Sequence, residues 1–239
     1  FDGGYHKWFE NRNGEACLLA SIDDATGEIT KLKFSKNEGV IEVFTFWKEY
    51  LEAKNKPVAI YLDKFSTYKV NHKNATDNHE LITQFQRACN DLNINLISAH
   101  SPQAKGRVER LFETLQDRLV KELRLQKISD AQTANKLLEE KYIQICNEKF
   151  SVIPTKNTDL HRPLTHHDQK NIDKIFSIQS VRLVKNDFTI QFKNQWYQLD
   201  EIQPTTVYCK DDILVEERLD NSIHLSKKDK HLNFKRLPQ

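Results

Sequence analysis

The sequence predicts a mixed α/β domain followed by a small all-β unit. Three observations point there. Strand-like and helix-like apolar patterns alternate from residue 1 to about residue 150. The pattern then lapses over 151–178, a stretch with Pro154, Pro163 and few periodic apolar positions, read as a linker. From 179 to 239, short strand-like runs with turn residues between them recur at even spacing, the pattern of a small β-barrel.

Ala16–Ile22 reads as a buried strand, Asp23–Gly27 as a turn, and Glu28–Phe34 as a strand with one wet face, which together make a hairpin. Ser35 and Glu38 stand at capping-box spacing, and Val40, Val43, Phe44, Trp47 and Leu51 recur at helical intervals up to about Lys54. Pro57–Leu62 is the next strand, with Asp63 at its C-terminal end. Lys64–Asn78 is polar and reads as a loop, Leu81–Leu92 as a helix and Asn95–Ala99 as a strand. A basic helix is expected over about Lys105–Gln126 and another over Asp130–Lys149. Beyond the linker, strands are expected at Phe188–Phe192, Gln195–Leu199, Thr205–Cys209, Ile213–Glu217 and Ser222–Leu225.

The chain has 239 residues, 38% hydrophobic and 29% charged, enough for a packed core and one further small domain. The net charge of +2 does not mark a nucleic-acid binder, so the distribution of charge must carry that argument. Cys17, Cys89, Cys146 and Cys209 are scattered, with no zinc spacing, and are expected to be reduced thiols in a cytoplasmic protein. No apolar run is long enough to cross a membrane, and the start is no signal peptide. Met is absent and Phe1-Asp2 reads as the middle of a strand, so a missing N-terminal part is expected.

Three carboxylates stand out. Asp2 and Asp63 lie at or near the ends of strand-like runs, where open sheets place their sites, and Glu109 lies near the start of the basic helix. Three acids brought together repel one another, and a divalent cation reverses that sign. Mg²⁺ takes oxygen ligands and keeps several waters, and a pair of such ions about 3.5–4 Å apart suits phosphoryl transfer. Val108, Phe112, Leu115 and Leu119 form one apolar stripe, with Glu109 at its edge and Arg107, Arg110, Arg118 and Lys121 on the outer side, where phosphates could lie. Residues 98–127 hold seven Lys/Arg against four Asp/Glu. Asp23 and Asp24 fit a hairpin turn and are read as structural. In the tail, Lys227, Lys228, Lys230, Lys235 and Arg236 face Asp229 alone, a cluster able to bind phosphates without reading sequence.

The order Asp2, Asp63, Glu109 resembles the Asp-Asp-Glu triad of retroviral-integrase-like transposases. The run Ser101-Pro-Gln-Ala-Lys-Gly-Arg-Val-Glu-Arg110, with Asp2–Phe9, Ile22–Gly27 and His161-Arg-Pro-Leu164, is similar to bacterial insertion-sequence transposases of the ISNCY type. The resemblance implies an RNase H-like mixed sheet flanked by helices and, at the end of the chain, a small SH3-like barrel. It implies a polynucleotidyl transferase that cuts transposon ends and joins their 3′-hydroxyls to target DNA, with Asp2, Asp63 and Glu109 holding two Mg²⁺ or Mn²⁺. Gln103, Lys105 and Arg107 match positions that would touch transposon-end DNA. Asp63 and Glu109 are separated by 45 residues, more than in integrases, and the Lys64–Asn78 loop can absorb the excess. The missing N-terminal part would be a helix-turn-helix module. The implied partner is double-stranded DNA, bound by a homodimer or higher oligomer. Two other readings stay open: an RNase H-like nuclease without strand transfer, and a catalytically silent DNA-binding protein.

Overall fold

The structure, a computed structural model, describes residues 1–63, 78–99, 102–154 and 158–238, without the side chains of 63, 78–82, 98–99 and 102–105. The chain forms two compact units, Phe1–His166 and His167–Gln239.

The first unit opens with β1 (Asp2–His6), β2 (Ala16–Ile22) and β3 (Ile29–Ser35), an antiparallel sheet in the order β1-β2-β3 with Asp2 opposite Ala20 and Gly4 opposite Leu18. The expected hairpin turn forms. Asp23 Oδ1 accepts from the Ala25 and Thr26 amides and the Thr26 hydroxyl at 2.7–2.9 Å, and Gly27 takes the φ of +70° that closes the turn. β4 (Ala59–Asp63) and β5 (Asn95–Ala99) form a parallel pair, with Asp63 opposite Ala99. The Phe1 nitrogen donates to the Tyr61 carbonyl at 2.9 Å, which brings β1 beside β4.

Helices cover both faces of the three-stranded sheet. On one face lies α1 (Val40–Lys54), where Phe46 and Trp47 pack on Phe1 with ring centroids 5.1 and 5.4 Å away. α2 (Asn78–Asp91) sets Phe85 against Phe44 and Trp47. On the other face α3 (Pro102–Leu125) buries Leu111, Phe112, Leu115, Leu119 and Leu123 against Trp8, Leu18, Leu32 and Phe34. The expected stripe is therefore the helix's anchor, with Val108 partly buried at its start. The second helix expected there begins at an Asp130 cap that accepts from Thr133 N and runs through α4 (Ala131–Leu137), a π-helical turn (Leu138–Tyr142) and α5 (Ile143–Phe150).

Two asparagines on these last helices dress the free edge of β3. Asn135 accepts from Phe34 N at 2.7 Å and donates to Phe34 O at 3.1 Å, and Asn147 treats Ile29 the same way at 2.8 and 3.0 Å. Each amide replaces one rung of a missing strand and blocks pairing with another chain. Arg12 clips the end of α3 by donating to the carbonyls of Leu123 (2.8 Å) and Ile128 (2.6 Å).

The capping box expected of Ser35 and Glu38 does not form. The N-cap of α1 is Gly39, with no side-chain cap. Ser35 instead donates to Glu42 at 2.7 Å, and the Glu38 amide donates to the Tyr5 hydroxyl at 3.1 Å. A partner on β1 for Glu38 and one on α1 for Ser35 replace the local motif. The Lys64–Asn78 loop falls outside the described residues, apart from Asn78, which starts α2.

The second unit begins within α6 (His166–Ile175), a helix inside the stretch expected to be a linker. It contains β6 (Ile178–Leu183), β7 (Thr189–Phe192), β8 (Gln195–Leu199), β9 (Asp212–Glu217), β10 (Ile223–Lys227), β11 (Lys230–His231) and β12 (Phe234–Arg236). These do not close into the expected barrel. They form two antiparallel sheets, β11-β10-β9-β6 and β12-β8-β7, over one core that includes Val184, Ile190, Tyr197, Ile213, Val215 and Leu225. A tight turn at Lys185–Phe188, with Phe188 at φ 58°, takes the chain out of the first sheet and into the second. Thr205–Cys209 is not a strand. The Tyr208 amide bonds the Asp211 carboxylate at 2.6 Å and bends the segment into a turn, leaving Tyr208 exposed. All four cysteines are free. Among the described residues no helix is long and apolar enough to cross a membrane.

Candidate active site

Asp2 and Glu109 line one cavity of about 170 Å³ in the first unit. β1 supplies Asp2, whose Oδ1 accepts from the Gly3 amide at 2.9 Å. α3 supplies Glu109, exposed at the rim one residue beyond the half-buried Val108. The close approach of α3 to β1 depends on a missing side chain: a Cβ on Gly4 would lie 2.5 Å from Phe112 Cε1. Asp63 ends β4, two residues after the Tyr61 carbonyl that holds Phe1, so its backbone is carried to the same end of the sheet; its side chain lies outside the description. Among the described residues no group of three or more His, Cys, Asp or Glu is placed to hold a metal ion. Asp2 and Glu109 remain two hard oxygen donors on one cavity, a donor set that suits a hard divalent cation.

A further carboxyl belongs to this neighbourhood, although its local sequence pattern is that of a helix cap. Glu38 packs on the Gly3 backbone so closely that a Cβ there would lie 2.6 Å from Glu38 Cδ. Burial, helped by the charge of Asp2, pushes the Glu38 carboxyl up to about 8. Only the paired glycines of Asp2-Gly-Gly-Tyr5 hint at it in sequence, since each leaves room on one face of β1: Gly3 for Glu38, Gly4 for Phe112.

The back of the cavity is built from α1 and the segment after α5. Tyr50 Oη and His161 Nε2 are hydrogen-bonded at 2.9 Å, and Asp159 Oδ1 sits 2.7 Å from His161 Nδ1. Burial raises the Tyr50 phenol to about 12, so it stays protonated at neutral pH. Arg162 pairs with Lys56 backbone to backbone and donates to the Asn93 carbonyl at 2.5 Å. The His161-Arg-Pro motif is thus a clip that ties this segment to α1 and to the loop before β5.

The expected phosphate-binding cations are placed as follows. Arg107 lines the cavity and lies 3.4 Å from Asp24. Arg110 donates to the Gly106 carbonyl at 2.8 Å, Arg118 stacks over Phe150 at 4.8 Å, and Lys121 pairs with Asp117 along the helix. The side chains of Gln103 and Lys105 lie outside the description. In the second unit Lys227 bonds Asp211 and the Thr206 carbonyl, Lys230 approaches the Pro204 carbonyl at 3.5 Å, and Lys228 is exposed.

The chain is similar to two transposases. It is 33% identical over 242 residues, 99% of the chain, to the transposase for insertion sequence IS1202 of Streptococcus pneumoniae. It is 40% identical over 204 residues, 85% of the chain, to a Sinorhizobium fredii protein named "Putative transposase y4bF". The chain spans about half the length of these curated relatives, 50% and 44% respectively. No protein-family model matches. A chain of the simian T-cell lymphotropic virus intasome in complex with PP2A regulatory subunit B56 gamma aligns with the whole chain over 77% of its own length, at 14% identity and a TM-score of 0.44.

Proposed function

We propose that this chain is the catalytic part of an insertion-sequence DDE transposase of the ISNCY type, which cuts transposon ends and joins their 3′-hydroxyls to target DNA. The observation that carries this reading is the pairing of Asp2 and Glu109 on one cavity, with β4 and its terminal Asp63 docked beside β1. The strand order supports an RNase H-like core: β3-β2-β1 antiparallel, then β4 and β5 parallel, with helices on both faces of the three-stranded sheet. The two small sheets of the second unit support an SH3-like appendage. Similarity to two transposases favours joining over simple hydrolysis.

Asp2, Asp63 and Glu109 would hold two Mg²⁺ or Mn²⁺, which when bound activate an attacking oxygen and stabilise the leaving one. The chain's own residues do the rest. The β1–α3 contact at Gly4 and Phe112 fixes the separation of Asp2 and Glu109. Arg107, with Gln103 and Lys105 four and two residues earlier in the sequence, offers donors to the phosphates of a transposon end, and Arg110, Arg118 and Lys121 extend the positive side of α3. Two ends must be brought together, so the working form is a dimer or higher oligomer on double-stranded DNA.

The test uses the full-length protein with transposon-end DNA, target plasmid and Mg²⁺. The wild type is expected to give joined products, and Glu109→Gln to reduce them by about a thousandfold or more, the scale of losing a principal transition-state interaction. Full joining by Glu109→Gln overturns the assignment. Cleaved but never joined DNA from the wild type selects the nuclease reading.

A further inference from the structure

The cations of the second unit sort into two groups that differ in what they already hold. The tail group is engaged in part, and most firmly at Lys227. Lys227 is tied to Asp211 and the Thr206 carbonyl, Lys230 leans on the Pro204 carbonyl, and Asp229 beside them pairs with Lys174 at 2.7 Å. The other group lines a groove of about 980 Å³ formed by the end of β6, the turns flanking β7 and the turn before β9. Arg182, Lys185, Lys193 and Lys210 stand there against a single lining carboxylate, Asp187. That carboxylate is committed to the start of β7, accepting from the Thr189 hydroxyl at 2.7 Å and the Thr189 amide at 3.1 Å. Lys193 is balanced by Glu217 at 2.5 Å. Among the described residues no salt bridge is formed by Arg182, Lys185 or Lys210, although Arg182 donates to the Val181 carbonyl at 2.9 Å. The Asp187 carboxyl is held below its ordinary value by the Thr189 bonds and, to a lesser degree, by the nearby charge of Lys185. Arg182 lies 5.7 Å over the Phe192 ring and Lys185 4.0 Å over Trp196, contacts that position the cations and add no negative charge.

We propose that this groove is the nucleic-acid-backbone site of the second unit, with Arg182, Lys185 and Lys210 contacting the phosphates of duplex DNA. The inference rests on the transposase reading for the identity of its ligand. The cations are spread over the end of β6 and two turns of the chain and face an open groove, an arrangement that follows a phosphate backbone and does not read base edges. Binding through them is therefore independent of sequence and steeply dependent on salt.

The test is fluorescence anisotropy of the full chain on a short duplex of arbitrary sequence, from about 50 to 200 mM salt. Arg182→Gln/Lys185→Gln/Lys210→Gln is expected to weaken binding by about tenfold or more at low salt and to lower the slope of log K against log salt by about 2–3, close to one for each phosphate left without its cation. Lys228→Gln/Lys230→Gln is expected to change affinity by less than about threefold. All these side chains are on the surface, so the melting transition should not move. Lys185→Arg/Lys210→Arg keeps the charge and should keep the binding. Unchanged affinity in the triple variant, a larger loss in the tail variant, or tighter binding to a single strand than to the duplex each overturns the groove assignment. Protein that joins DNA yet ignores the groove substitutions overturns the groove alone. Protein that binds duplex through the groove yet never joins DNA overturns the transposase reading alone.

Discussion

The acid-lined cavity of the first unit and the cationic groove of the second are held in opposite ways. Around Asp2 and Glu109, contacts distant in sequence set the geometry: Gly4 against Phe112, Glu38 against Gly3, and Arg12 against the end of α3. Around Arg182, Lys185 and Lys210 the proposed phosphate contacts stand on the end of β6 and on surface turns, and the unit's core lies beneath them. In the first region, stability and function should therefore fail together. In the second, charge can be removed with little effect on the fold. Chemistry at a phosphate needs positioning to within a fraction of an ångström, whereas backbone binding needs a field of the right sign.

The largest effect is expected where the two dependences meet. A methyl group on Gly4 would overlap the Phe112 ring, which is buried and packs on Trp8 at a centroid distance of 6.4 Å. Gly4→Ala should cost about 1–3 kcal/mol, the usual range for overpacking a core. Because the ring belongs to α3, the shift should also move Glu109 relative to Asp2. Joining activity, measured well below the melting transition, should fall at least tenfold. A variant that melts early but joins DNA normally would break the comparison, since stability and geometry would then be separable in this region.

Much of this frame was legible before the structure. The hairpin with its Asp23 turn, the strand ending at Asp63 and the apolar stripe of α3 all follow from local patterns, and all form. Glu38 was not legible as a neighbour of Asp2. Its spacing from Ser35 is that of a capping box, and only the contact with Gly3 on β1 shows otherwise. The asparagine pairs on β3 were hidden for the same reason. Asn135 and Asn147 are more than 100 residues from their partners, and an asparagine in a helix carries no mark of what it faces. In the second unit Thr205–Cys209 has strand-forming residues, yet Tyr208 and Asp211 close a turn there. Periodicity reports which face of an element is apolar, and it is silent on distant polar partners.

The edge asparagines give a smaller, purely structural contrast. Asn147→Ala removes both bonds to Ile29 and leaves an amide and a carbonyl on a half-covered strand edge. A loss of about 1–2 kcal/mol is expected, read as a lower denaturant midpoint with an unchanged slope. Lys185→Ala, which removes a surface charge and its ring contact, should stay within about 0.5 kcal/mol. Equal costs for the two would mean that the second unit is as tightly interlocked as the first.

The smallest effect concerns charge on the first unit, and it shows whether ion pairs share in the interlocking. Glu49 on α1 faces two lysines of β3, with Lys31 Nζ at 2.7 Å and Lys33 also bonded. Burial would raise the Glu49 carboxyl, but the two ammonium groups outweigh it and hold it below the usual carboxylate range. Burial lowers Lys31 from its ordinary value while Glu49 supports its charge, and the direct contact favours a charged pair at neutral pH. A depressed carboxylate contributes stability above its unfolded pKa and loses it as pH falls through the folded value. Glu49 keeps 39% of its side chain exposed, so solvent screening limits the contribution to about 0.5–1 kcal/mol. Glu49→Gln should therefore be destabilised by that amount at pH 7, and the gap to wild type should close below about pH 4, where the wild type loses the same contribution. A gap that persists into acid would show that the substituted amide disturbs packing on this face of α1, and the pair would then belong to the interlocked frame after all.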